Sequence, residues 1–390
     1  MRVAIASDVG DSGHKSAALA IAEAGAARGH QCQEFDPWPD GSVVADRVLF
    51  QMFRDYAARG LPCLPPVIEL PGLWLEMAAD LLPALTLPDV DALVGTHPWA
   101  AGILAELASR DGFGGMVMAV GTDFYPFPAS AYPRVDIYTG VFPKPVLPPI
   151  QRSRMQPLGI PVRAGFAPGA ALADRDVLLV TVGARAFVPL AEIVEFASAL
   201  QRALPDAEVV MCTGRETSVS AVSDPRGAVD IRHGLADLSG LMRRARLVVS
   251  RPGGLTVAEA LAAGCVPVLL PTDVPWEAEA ARHLIYAGLA VALPATRPLD
   301  TETVAALWDD QNRIGAIVRA GTGWELHRSV GRIWDLIEAG RPELDPAAPL
   351  SPAEDELRTG YLTVLDEAQG TDPMPRTAAF LRQAMLDWYA

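Results

Sequence analysis

The chain has 390 residues, half of them hydrophobic, with 34 prolines, 33 glycines and a formal net charge of -15. That is enough apolar surface for large cores divided between two domains, and it sets aside a disordered or low-complexity chain. The acidity argues against nucleic acid as a main partner and against adhesion to anionic lipid through a basic surface.

The first expected element is a strand at Val3 to Ala6, reached with no signal-peptide layout before it, and a helix is expected over Ser16 to Arg28. Arg47 to Leu87 then breaks the pattern, with Phe50, Met52, Phe53, Tyr56, Trp74 and Met77 spaced among prolines. It fits a helical layer over the first sheet, and also a rim that grips a hydrophobic acceptor or touches a bilayer peripherally. Further strands are expected at Ala92 to Val94 and Met116 to Val120, with a helix over Ala100 to Ser109 between them. The Gly/Pro-rich stretch Gly159 to Gly169 reads as the break between two halves and as a hinge.

Beyond it the alternation resumes. Strands are expected at Val177 to Val182, Val209 to Cys212, Leu247 to Val249 and Val266 to Leu270, with helices over Leu190 to Ala203 and Leu255 to Ala263. The fold class is α/β, with two Rossmann-like domains at 1–163 and 164–345. In the tail, 346–390, Phe380, Leu381, Ala384, Met385 and Trp388 recur at helical spacing, so a helix is expected to dock back on the body. No run of apolar residues is long enough to span a membrane, and a cytoplasmic protein is expected. Cys32, Cys63, Cys212 and Cys265 lack metal-ligand spacing, so no metal site is expected and the thiols read as reduced packing residues.

The densest signal is Ser250-Arg-Pro-Gly-Gly-Leu-Thr-Val-Ala-Glu-Ala-Leu-Ala-Ala-Gly264, a strand end, a glycine turn and a helix opening. Gly253 and Gly254 are expected to use positive φ and let backbone N–H groups approach a phosphate, with the helix adding its positive end. Thr256 and Glu259 lie three apart on one helix face, where a carboxylate meets ribose hydroxyls; the same pair also fits a plain capping box. Three other predicted strand ends could line the same pocket. They bring Gly183 and Arg185, Gly214, and Leu235 beside Ser250 and Arg251 of the turn itself, the arginines offsetting phosphate charge and Leu235 offering backbone to a base edge.

In the first half, three polar groups follow predicted strands: His14 in Gly10-Asp-Ser-Gly-His-Lys-Ser-Ala17, His97 in Thr96-His-Pro98, and Asp123 in Thr122-Asp-Phe124. Each has a plain reading as a helix or turn residue, and their convergence is the stronger argument. A histidine beside a carboxylate takes a proton from an alcohol, because the carboxylate orients the ring and stabilises its charged form. Facing a diphosphate site, such a base suggests transfer from a nucleotide-activated donor.

These motifs, taken in order over residues 1 to 340, resemble family 28 glycosyltransferases. The branch of monogalactosyldiacylglycerol synthase and the processive diacylglycerol glucosyltransferases is the nearer resemblance. The peptidoglycan lipid-linked N-acetylglucosaminyltransferase is a more distant one. The resemblance implies a GT-B fold whose two domains face a cleft. It also implies inverting, metal-independent transfer from a nucleotide sugar, usually a UDP-sugar, with no cofactor besides that co-substrate and with a hydrophobic lipid or natural product as acceptor. On matching positions His14 falls on the glycine-loop histidine and Asp123 on the base, with His97 nearby. Gly253, Gly254, Leu255 and Thr256 fall on the diphosphate turn, and Glu259 on the ribose-binding glutamate. The chain departs from the family where a donor-sugar glutamine is expected, since Glu277 stands there.

Two other readings share the architecture. A non-hydrolysing sugar-nucleotide 2-epimerase would need an acid-rich cleft that the sequence does not display. A non-catalytic nucleotide-sugar-binding protein would leave the first-half polar set without work.

Overall fold

The computed structural model describes residues 1–7, 13–37, 85–124, 132, 134–141, 154–182, 189–213, 229–234, 237–272, 274–296 and 298–343. The segment 47–84 and the tail 346–390, on which two expectations rest, lie outside these residues.

The first half is a six-stranded parallel sheet built from β1 (Arg2–Ala6), β2 (Gln31–Phe35), β3 (Ala92–Gly95), β4 (Met116–Val120), β5 (Ile137–Thr139) and β6 (Met155–Gln156). Their order is β2-β1-β3-β4-β5-β6. The central strands are apolar on both faces because both are covered, so Val3 and Ile5 join one core while Ala4 and Ala6 join the other. Helices α1 (Gly13–Ala27) and α2 (Pro98–Arg110) lie on opposite faces. Leu85, the described end of the greasy segment, is buried against Ile103 and Leu107 of α2.

The second sheet holds β7 (Val177–Val182), β8 (Glu208–Thr213), β9 (Asp230–His233), β10 (Ala245–Ser250), β11 (Val266–Leu269) and β12 (Val291–Ala292). It is also parallel and runs β12-β11-β10-β7-β8-β9. Around it stand α3 (Leu190–Ala203), the single turn α4 (Ser239–Met242), α5 (Gly254–Ala262), α6 (Pro275–Tyr286), α7 (Thr301–Asp309) and α8 (Gln311–Gly323). Each sheet reverses its winding at one place, between β1 and β3 in the first and between β7 and β10 in the second. Ligands of open α/β sheets bind outside the carboxyl ends of such strands, and the singled-out residues follow β1, β3, β4 and β10.

Two features tie the halves together. Within the linker Gly159 to Gly169, Ile160, Val162 and Phe166 are buried in a core of the second half. Gly159 there has φ 88, a conformation that favours glycine. The last described helix, α9 (Ser329–Ala339), falls within the span 164–345, yet it returns to the first sheet. Its Val330, Ile333, Trp334 and Ile337 are buried with Val3, Ile5 and Ile21. The Trp334 indole N–H donates to the Ile21 carbonyl at 2.8 Å, and Arg28 pairs with Asp335 and Glu338 at the rim.

Candidate active site

The site forms where the strand ends of the two sheets meet. On the second-half side, β10 ends at the buried Ser250 and the chain turns through Arg251, Pro252 and Gly253 into α5. The glycines work differently from the sequence expectation, because neither has positive φ; Gly253 is extended at φ -72, ψ 135, and serves as the N-cap. What the turn needs from Gly254 is a missing side chain. A Cβ there would stand 2.0 Å from the Thr122 carbonyl oxygen and 2.5 Å from the Asp123 Cα, whereas no atom lies within 4 Å of one on Gly253. Because the helix starts at Gly254, Thr256 is inside its first turn and does not cap it, so the capping box does not form.

The far end of α5 is closed by a Schellman turn at Gly264, φ 74, with the Cys265 N–H on the Ala260 carbonyl and the Gly264 N–H on Leu261. Buried Arg175 donates to the carbonyls of Ala263 and Gly264, placing a cation at the negative end of the helix. The helix is therefore held with its positive end against Asp123 of the first half.

On the first-half side, His14 sits in the first turn of α1, and Thr96 and Thr122 sit at the ends of β3 and β4. The His14 Nδ1 lies 2.9 Å from the Thr96 carbonyl and 2.7 Å from the Thr122 Oγ1. A carbonyl only accepts, so Nδ1 carries the proton and Nε2 is the basic nitrogen. The Thr96 hydroxyl in turn donates to the His14 carbonyl at 2.9 Å. These two threonines hold the imidazole, and the sequence reading did not assign them that task; the available signal was that each directly precedes a singled-out residue at a strand end. His97 caps α2, its Nδ1 accepting from the Trp99 N–H at 3.2 Å, and its ring stands edge-on to His14 at 4.4 Å.

Asp123 bridges the halves, its Oδ1 accepting from the Gly254 N–H at 3.0 Å. Burial pushes its carboxyl up, His14 pulls it down, Glu277 pushes it up again, and the Gly254 N–H and Arg251 pull it down. Beside it Phe124 is fully buried in the same core as Leu255, and a Cβ on Gly13 would stand 3.2 Å from the Leu255 Cβ. The two glycine loops and the Thr122–Asp123 loop thus meet at the start of α5.

Arg251, expected on phosphate, is held by Glu277, which is 3 % exposed and also accepts from the Thr272 hydroxyl at 2.8 Å. Glu259 is buried behind the turn, and burial pushes its carboxyl up to about 8, moderated by Arg163 and raised further by Asp237. Thr256 is partly buried on the same helix. Gly183, Arg185, Gly214 and Leu235 lie outside the described residues. Among the described residues no group of three His, Cys, Asp or Glu could hold a metal ion, and no helix is long and apolar enough to cross a membrane.

Residues 177–290, the core of the second half, match the model of the glycosyltransferase family 28 C-terminal domain. The chain is also similar to UDP-N-acetylglucosamine–N-acetylmuramyl-(pentapeptide) pyrophosphoryl-undecaprenol N-acetylglucosamine transferases. That of Acidiphilium cryptum is 28% identical over 374 residues, 86% of this chain and 88% of the relative. That of Thiobacillus denitrificans is 27% identical over 295 residues, 69% of this chain and 79% of the relative. The protein is a glycosyltransferase.

Its fold is that of solved GT-B glycosyltransferases. The calicheamicin glycosyltransferase CalG4 superposes with a TM-score of 0.58 at 18% identity, covering 87% of this chain and 97% of that one. The MurG of Acinetobacter baumannii gives 0.52 at 16% identity, with 87% and 99% covered. The α5 turn and Glu277 lie within the region that matches the family 28 C-terminal domain model, while His14 and Asp123 lie outside it.

Proposed function

We propose that the glycosyltransferase moves a sugar from a nucleotide-sugar, a UDP-sugar in the first instance, to a hydroxyl of a hydrophobic lipid or natural product, with inversion and without a metal. One observation carries this reading: the positive end of α5 in the family 28 domain and the His14–Asp123 pair of the first half meet at one point. Diphosphate lies at the helix N-terminus and ribose near Glu259, while the acceptor enters from the first-half side.

As the acceptor oxygen attacks the anomeric carbon, the bond to the diphosphate breaks on the opposite face. The hydroxyl proton passes to the His14–Asp123 pair; His14 accepts at Nε2 because Nδ1 is committed to Thr96, and the Asp123 charge stabilises the imidazolium. Negative charge gathering on the leaving diphosphate is met by backbone donors and the α5 dipole, which perform the task a metal would otherwise perform. The similarity to the undecaprenol-linked relatives favours a lipid acceptor. A small natural product is the other hydrophobic candidate, as in the glycosyltransferase named for its complex with spinosyn aglycone.

The test is a product assay with UDP-sugars against isoprenoid alcohols, diacylglycerol and aromatic or polyketide aglycones, with and without a chelator. The reading predicts a glycoside of inverted configuration, chelator-resistant, and turnover lowered about 10²–10⁴-fold by His14→Ala. Nucleotide binding without any glycoside, across all acceptors, would overturn the transfer step.

A further inference from the structure

Helix α5 has no capping side chain of its own, since its N-cap is Gly253. The carboxylate that caps it comes from the other half of the molecule, 131 residues away. The fit is close: the Gly254 backbone lies against Thr122 and Asp123 so tightly that a methyl group would not enter, and the adjoining Phe124 is locked into the core that holds Leu255. Next to this contact the position of a Gly253 Cβ faces open space.

A carboxylate on a helix N-terminal N–H satisfies the same orphan donor and the same dipole as a phosphate oxygen. We infer that Asp123 is an internal stand-in for the donor diphosphate, so that it sets donor affinity as well as serving the proton transfer. This rests on the reading of the α5 turn as the donor site. The diphosphate must take the Gly254 N–H away from Asp123, which parts the two loops; once displaced, the carboxylate stands free beside His14. Donor binding and release of the catalytic carboxylate become one event, and in the free enzyme the carboxylate stays bonded to the helix.

The inference separates from an ordinary base, whose removal leaves donor affinity unchanged. UDP is titrated calorimetrically into wild type, Asp123→Ala and the isosteric Asp123→Asn. Hydrogen exchange is followed over a peptide that carries Gly254 in its interior. Loss of one charge-assisted hydrogen bond partly offset by water predicts that Asp123→Ala binds UDP about fivefold tighter or more. Asp123→Asn should change in the same direction by less. Without nucleotide, the Gly254 amide should exchange faster in both variants, and UDP should restore its protection. Unchanged or weaker UDP binding in the variants, with wild type binding normally, overturns the inference and leaves the donor site standing. Tighter binding with unchanged exchange reduces Asp123 to simple charge repulsion and also overturns it. Failure of every protein to bind UDP, GDP or dTDP removes the donor site itself, and the inference with it.

Discussion

The two halves of the molecule reach their meeting point at Asp123 and Gly254 by different routes. The second half builds its part from one continuous strand, turn and helix, β10 to α5, braced from behind by Arg175 and the Gly264 turn. The first half assembles its part from three separated strand ends and needs a helix from far along the chain, α9, to cover its sheet. A contiguous site depends on local geometry, whereas a dispersed one depends on long-range packing, so the two should fail under different perturbations.

The largest expected effect is on the dispersed half. Trp334 is fully buried, donates to the Ile21 carbonyl and stacks on His30, so Trp334→Ala should lose about 3–5 kcal/mol of stability. Denaturant unfolding measures the loss. Exchange at β1, β3 and β4 should accelerate before exchange at β7, β10 and β11; equal acceleration in both sheets would erase the distinction drawn between the halves.

Next is the contact between them. Gly254→Ala places a methyl 2.0 Å from the Thr122 carbonyl, so the loops must shift. A displacement of this order at reacting groups costs about 100-fold in turnover, so kcat/KM should fall by about that factor. Full activity in Gly254→Ala would show that the close approach of the two loops is not needed for turnover.

Glu259 supplies a pH-dependent effect of intermediate size. Its carboxyl is held at about 8 in the fold against an ordinary 4.5, so the folded chain keeps a proton that the unfolded chain has released. Stability therefore falls as pH rises from about 4.5 to about 8, by at most about 1.4 kcal/mol per pH unit, and levels off above. Glu259→Gln should erase that slope, and melting temperatures from pH 4 to 9 would show whether wild type and variant diverge over this window. The smallest effect is the contrast to Gly254: Gly253→Ala, with a φ any residue adopts and open space for its methyl, should leave stability within about 0.5 kcal/mol. A larger loss would mean that Gly253 is needed for the fold itself.

The same contrast explains what could be read from the sequence. The interior strands β1, β3, β4, β7, β8, β10 and β11 announce themselves as apolar runs because both faces of each sheet are covered. The four edge strands, β2, β6, β9 and β12, did not: Gln31-Cys-Gln-Glu-Phe35 and Asp230-Ile-Arg-His233 are largely exposed and carry no such demand. β5 was missed for a different reason, being three residues long. His14 and Asp123 were legible as strand-end residues, and so was the glycine turn. Their partners were not, because the bond from Gly254 to Asp123, the grip of two threonines on His14 and the Arg251–Glu277 pair join distant elements with no sequence periodicity between them. The glycine turn also misled on mechanism, since its residues suggested positive φ where the fold required close approach.

Whether the α5 turn, in the region that matches the family 28 domain model, is a nucleotide-sugar site facing the His14–Asp123 pair is tested most directly by calorimetry. UDP, GDP and dTDP, alone and as common sugar conjugates, are titrated into wild type and Glu259→Ala. The account predicts selective binding of one nucleotide, UDP first, weakened by Glu259→Ala; absence of binding by every nucleotide to folded wild-type protein would contradict it.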